Sequence, residues 1–225
     1  MDALIGAAPL LLQGLWVTLG VALLALLLAT LLGALTAAAR VAGGRVARGI
    51  AGLYTTVVRG VPDLVMILIV YFAGQRAVNA AARALGFEGA DLSIFLAGVV
   101  AIGFSYGAYM AETFRGAWLA VPRGQIEAGV ALGLSPRRLM WRIVAPQLAR
   151  HALPGFANVW QVLVKSTAVV SVIGLADLVG LALRVGRRER DPFTFLLVVL
   201  VAYLLITSVS GWALRRAEAR LARGT

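Results

Sequence analysis

From residue 3 to residue 39 the chain carries no charge. The hydrocarbon core of a bilayer is about 30 Å thick, and a helix rising about 1.5 Å per residue needs roughly 20 apolar residues to cross it. Residues 15–39 alone exceed that length, so lipid is the natural solvent for this run. A cleavable signal peptide starts with basic residues and has a shorter apolar core, whereas this start holds Asp2 and no Lys or Arg. The run therefore reads as a retained span.

The rest of the chain agrees. With 61% hydrophobic and only 14% charged residues over 225 positions, it is far more apolar than a soluble domain. Further spans are expected at about 53–72, 92–113, 153–172 and 193–214. The expectation is an all-α integral membrane protein of five spans, forming one transmembrane domain over 1–225 with its two ends on opposite sides. The basic excess of +11 does not indicate nucleic-acid binding, because the arginines sit in short segments between apolar runs, where the positive-inside rule accounts for them. With no cysteine present, disulfides and thiolate metal sites are excluded. The single histidine, His151, is expected at an interface and not on a metal.

Orientation follows from the same residues. If the Arg40 to Arg48 loop, the Arg123 to Arg150 segment and the tail after Leu214 share the cytoplasmic side, that side holds twelve basic residues. Six remain opposite: Arg76, Arg83, Arg184, Arg187, Arg188 and Arg190. This predicts an N-terminus outside and a C-terminus inside. The run "RVGRRERD" before the last span pulls the other way.

The segment "PRGQIEAGVALGLSPRRLMWRIVAPQL", polar and arginine-rich, then lies in the cytoplasm. Pro122 opens a helix with Ile126, Val130, Leu132 and Leu134 on an apolar side. Ser135 is a candidate N-cap and Pro136 a first-turn residue of a second helix, 137–144, expected to stop at Pro146. Two amphipathic helices could simply lie in the headgroups. Their spacing says more. Glu127-Ala128-Gly129, Gly133 four residues on, then Ile143 and Pro146 resemble the EAA loop of the membrane subunits of bacterial ABC importers, with Gly129 for the second Ala and Ala145 for a Leu.

The resemblance extends over nearly the whole chain, through "TTVVRGVPDLVMILIVYF", "GFSYGAYMAETFRGAWLAVPRGQIEAG" and "ALPGFANVWQVLVKSTAVVSVIGLADL". Arg59-Gly60-Val61-Pro62 together with the K-S-T-A-x-x-S motif at 165–171 is similar to the polar amino-acid branch of these permeases, most of all the Q-type subunits of histidine/lysine/arginine/ornithine and opine importers. The resemblance implies a permease of the bacterial inner membrane whose coupling loop, about 122–147, docks into a separate ATPase. It also implies a pair of ATPases that bind the ATP, a second permease identical or homologous to this one, a periplasmic substrate-binding protein, and a basic amino acid or opine as substrate.

Ionisable residues at membrane depth are costly and usually face a polar path or a partner. Asp63 and Glu112 are the candidate carboxylates for a cationic substrate, and the alternative is that they neutralise Arg59 and Arg115 along their own helices, at i,i+4 and i,i+3. Arg59 and Lys165 are candidates for the substrate carboxylate, or else snorkel to an interface. Asn158 and Gln161 line the path or hold helices together. Pro154 with Gly155 reads as a break opening the fourth span, and Gly103 with Gly107 as a close-packing pair.

"QVLVKST" ends like a phosphate-binding loop, but Val164 stands in the glycine position, and no catalytic motif is found elsewhere. No cofactor and no ATP site are therefore expected in this chain. The leading expectation is an importer permease. A self-contained secondary transporter or channel using Asp63 or Glu112, and a scaffold that binds a cytosolic partner without transport, are the alternatives.

Overall fold

The computed structural model describes residues 2–222, and every regular element among them is helical. The helices are α1 (Asp2–Ala42), α2 (Arg45–Arg59), α3 (Asp63–Ala84), α4 (Ile94–Leu119), α5 (Arg123–Ala131), α6 (Pro136–Leu139), α7 (Ala145–Ser166), α8 (Leu178–Arg188) and α9 (Pro192–Ala222). A π-helical turn, Met140–Val144, joins α6 to α7, and a 3-10 stretch, Thr167–Ile173, follows α7. Among the described residues five segments are long and apolar enough to cross a bilayer: Ala3–Ala42, Asp63–Ala84, Ile94–Leu119, Pro136–Ile173 and Pro192–Leu221.

The core forms where α4 lies against α1. Ala22, Ala25 and Ala29 of α1 are fully buried, as are Ala101 and Met110 of α4. The Gly103 and Gly107 pair makes this approach possible, because a Cβ at Gly103 would stand 2.7 Å from Leu28 and one at Gly107 2.7 Å from the Tyr54 hydroxyl and 3.0 Å from Leu32. Helices packed in lipid gain chiefly from such close contact. A 41-residue helix is about 60 Å long, twice the hydrocarbon thickness, so α1 overruns the bilayer. Its overhang is used: Ala7 and Leu11 form a second cluster with Leu178, Ala182, Phe195 and Val199 from α8 and α9.

The chain separates into two ends. At one end α1 turns into α2, α4 into α5, and α9 finishes, so the Arg40–Arg48, Arg123–Arg150 and Arg215–Arg220 segments lie together. Arg223 falls outside the described residues. The α8–α9 corner lies at the opposite end: α9 runs antiparallel to α7, with Tyr203 at Thr167 and Thr207 at Gln161, which carries Pro192 away from α5.

Three expectations need correction. The second span is not 53–72, because that stretch straddles a break at Gly60–Pro62: Pro62 has no N–H to continue α2 and its ring disfavours a helical Val61, so the span proper starts at Asp63. Pro146 does not stop the second helix of the polar segment. The preceding π turn, in which the Ala145 N–H reaches back five residues to Met140 O, widens the coil ahead of the proline ring, and the helix runs on into the fourth span, which thus begins well before residue 153. Pro154 and Gly155 do not open that span either. They lie inside α7, where Gly155 lets Thr113 of α4 close in, a Cβ there meeting its methyl at 2.6 Å.

Candidate functional site

The break in the second span places charge halfway across the molecule. Asp63 begins α3 and lies beside Tyr106, midway along α4. Its Oδ2 accepts hydrogen bonds from the Tyr106 hydroxyl at 2.8 Å and the Ser166 hydroxyl at 2.6 Å. The Tyr106 and Ser166 hydroxyls are themselves 2.5 Å apart. The N-terminal end of α3 adds its own partial positive charge. These contacts make an anion tolerable at this depth and still leave it without a cationic partner among the described residues. Arg59, spaced i,i+4 before it, does not pair with it, since the break puts the two on different helices; its guanidinium lies over the Tyr109 ring, 5.2 Å from the centroid, and Tyr109 stacks on Tyr106 at 5.5 Å.

Glu112 is placed differently. One carboxylate oxygen pairs with Arg40 of α1 and the other with Arg115 of its own helix, at 2.8 Å. Arg40 also donates to the Thr55 hydroxyl of α2 at 3.1 Å. Through Arg40 three helices, α1, α2 and α4, are tied together at the α5 end of α4. A carboxylate held by two guanidinium groups is the better-compensated of the two membrane acids.

On α7, Gln161 donates to Thr207 O of α9 at 3.0 Å, so it ties two helices together. Asn158 is exposed beside it, on an open groove of about 390 Å³ shared with Ser208 and Arg215. His151, Asn158 and Lys165 are seven residues apart, which is two helical turns, and fall on one face. All three are exposed, and their side chains make no hydrogen bond or ion pair with the described residues.

The elbow at α5 and α6 explains its own spacing. Gly129 is buried and a Cβ there would stand 2.5 Å from Leu139 and 3.0 Å from Ile143, so the short side of α5 rests on the second helix. Gly133 holds φ +73°, a conformation glycine adopts without strain, and turns the chain back toward α6. Ser135 is the N-cap by position, but its side chain makes no capping bond. Gln147 closes the elbow by donating to Gln125 Oε1 at 2.5 Å and to Ile143 O at 2.9 Å. Ile126 and Leu134 are half-buried, whereas Val130 and Leu132 point outward with Glu127, Ala128 and Pro146. The outward group includes an apolar pair at 61% and 82% exposure, and Trp141 at 70% adds to it.

Sequence reasoning missed Arg40 as a partner of Glu112, and Tyr106 and Ser166 as partners of Asp63. The first lies 72 positions from its partner and Ser166 lies 103 from Asp63, so no local spacing marks either. The Gln125–Gln147 clasp also went unread.

Comparison with known proteins places this geometry. Residues 29–223 match the family described as binding-protein-dependent transport system inner membrane component. The histidine/lysine/arginine/ornithine transport system permease protein HisQ of Escherichia coli (strain K12) is 42% identical over 98% of this chain and 97% of that protein. The octopine transport system permease protein OccQ of Rhizobium radiobacter is 42% identical over 95% and 91%. A solved amino acid ABC transporter with histidines is 29% identical, covers 96% of each chain and superposes with a TM-score of 0.82. These likenesses decide for an importer component over a self-contained transporter or channel. With its broken second span, its membrane carboxylates and its outward-facing elbow, the chain belongs to the family of binding-protein-dependent transport system inner membrane components.

Proposed function

We propose that this chain lines the translocation path of an ATP-driven importer for basic amino acids or opines in the bacterial inner membrane, with its N-terminus outside and its C-terminus inside. The observation that carries the reading is Asp63, an acid at membrane depth whose partners among the described residues are neutral hydroxyls. A carboxylate in this setting gains most from a cationic ligand, since weak screening strengthens the pair and nothing else neutralises it. The relatives HisQ and OccQ, named for cationic amino acids and octopine, support the substrate class. Glu112, held by Arg40 and Arg115, serves as a tie between helices at the inner end of the path. Arg59 and Lys165 offer positive charge to the substrate carboxylate, and Asn158 and Gln161 flank the lower path.

The open face of His151, Asn158 and Lys165 is too polar to sit against lipid, so a second permease, identical or homologous, covers it across a shared water-filled path. The elbow around Glu127, Ala128, Gly129, Gly133, Ile143 and Pro146 docks the ATPase pair, which binds the ATP; Val164 in the place of the loop glycine supports the absence of an ATP site here. The periplasmic binding protein delivers substrate to the other end.

The test is uptake by the complex of this chain with its ATPase, second permease and binding protein in liposomes. Asp63→Asn is expected to lower arginine uptake more than about tenfold while ATPase assembly stays intact, the size of effect expected when a buried site loses its charge complement. Unchanged arginine uptake in a correctly assembled complex overturns Asp63 as the substrate anchor.

A further inference from the structure

The arginines that resist the positive-inside pattern have a structural setting of their own. Arg184, Arg187 and Arg188 sit on the free side of α8, with Arg190 in the turn that follows, and all four are exposed. The other side of α8 is spent inside the chain: Leu178, Leu181, Ala182 and Gly186 are buried against α1 and α9. Little of this charge is neutralised locally. Arg188 approaches Glu189 at 3.8 Å with its own side chain 86% exposed, and no ion pair among the described residues reaches Arg187 or Arg190. Asp191 is occupied with the Thr194 N–H. Arg184 donates to Gly174 O, which braces the patch against the end of the 3-10 stretch.

Arg190 also holds φ +58°. It closes α8 in a turn where the Asp191 N–H returns to Gly186 O at 2.8 Å, a place that glycine usually fills. The turn fixes one more cation at the rim instead of relaxing the backbone.

From this basic edge, little neutralised and set on the end of the molecule opposite the elbow, we infer that α8 and its C-terminal turn dock an acidic patch on the substrate-delivering binding protein. The family to which the chain belongs depends on such a protein, so a soluble partner must reach this end. An amphipathic helix that lies in headgroups needs an apolar face free to sink into them, and α8 has already buried its own. Charge complementarity of this kind steers encounter and sets register. The inference rests on the importer reading and on its orientation.

The experiment uses the full complex in nanodiscs of zwitterionic phosphatidylcholine, titrated with arginine-loaded binding protein while ATP hydrolysis is followed. The double variant Arg187→Glu/Arg188→Glu is expected to raise the half-saturating binding-protein concentration by roughly tenfold or more, with hydrolysis in the absence of binding protein unchanged. Raising NaCl from about 50 to about 300 mM should weaken the wild type several-fold and leave the variant nearly flat. The milder Arg187→Gln/Arg188→Gln pair should fall between, which separates lost attraction from a damaged fold. Equal half-saturation and equal salt response in wild type and variant overturn the inference. So does a shift seen only when anionic lipid is added to the nanodisc, which would assign the arginines to headgroups. A wild type that no binding protein stimulates fails before any substitution is made, and it overturns the importer reading along with the inference.

Discussion

The carboxylates at membrane depth and the carboxylate on the elbow obey opposite rules. Asp63 is engaged by hydroxyls from two other helices, and Glu112 by one guanidinium group from α1 and one from its own helix. Glu127, on the outward side of α5, makes no side-chain contact of that kind with the described residues and stands beside exposed Val130 and Leu132. Lipid punishes an unsatisfied charge, so the chain must supply partners for the first two. Water does not, so the elbow can keep its charge and its apolar side chains for another protein. Interactions inside the span hold this chain together, and those at the elbow are left open, which is what the proposed docking of an ATPase requires.

The largest effect that would break this comparison is at Glu127. Glu127→Lys is expected to cut retention of the ATPase through co-purification more than about tenfold, as reversal of a docking charge does, while the melting temperature of the isolated permease in detergent stays unchanged. A fall in both would mean that Glu127 supports the fold. Arg40→Leu should do the reverse. It leaves Glu112 with Arg115 alone and costs the permease about 2 kcal/mol, a discounted value for a partly exposed pair, read as a lower denaturation midpoint. ATPase retention by the folded fraction should hold.

Asp177 tests the rule where partners run short. It caps α8 through Gly180 N–H, is 1% exposed, and leaves Oδ2 without a hydrogen bond. Burial pushes its carboxyl up to about 6, with the Gly180 N–H and the Arg184 charge pulling the other way. Because the folded value lies above the unfolded one, the neutral form favours folding: this contribution is full at low pH and is lost as pH rises through about 6. Between pH 5 and pH 7 the wild type should lose about 1 kcal/mol of stability from this group, and Asp177→Asn should lose none of that component. Melting curves of both proteins across that range decide it; parallel curves would place the proton elsewhere.

The smallest effect sharpens the elbow. In Gly129→Ala the new methyl meets the flexible ends of Leu139 and Ile143, and the gain in helix propensity offsets most of the crowding. The net change should stay below about 1 kcal/mol, with ATPase retention kept. Gly129→Val should lose retention, because two methyl groups more cannot be absorbed there.

Much of the elbow was legible in the sequence because its residues lie close along the chain. The glycine turn at Gly133, the first-turn Pro136 and the spacing from Glu127 to Pro146 are local features, and the structure adds chiefly which side faces out. Pro146 misled for a local reason too: a single proline does not reveal that a π turn ahead of it will make room. The proposed path was legible only as a set of costly residues. Its two acids were identifiable from depth alone, and of their partners only Arg115, at i,i+3 from Glu112, was marked by local spacing. Arg59 and Asp63 look like an i,i+4 pair until Gly60–Pro62 separates their helices.

Sequence alone determined that this chain is built for lipid, with five segments long and apolar enough to cross it and a glycine-turned polar elbow between the third and the fourth, because bilayer thickness, hydropathy and turn chemistry act on neighbouring residues. Tertiary structure alone decided that Asp63 is held by Tyr106 and Ser166, that Glu112 belongs to Arg40 as well as Arg115, and that the arginine edge of α8 points away from its own core. Those outcomes depend on which helix faces meet, and that is settled only when glycines such as Gly103 and Gly107 let α4 close on α1 and bring groups far apart in the chain within bonding distance.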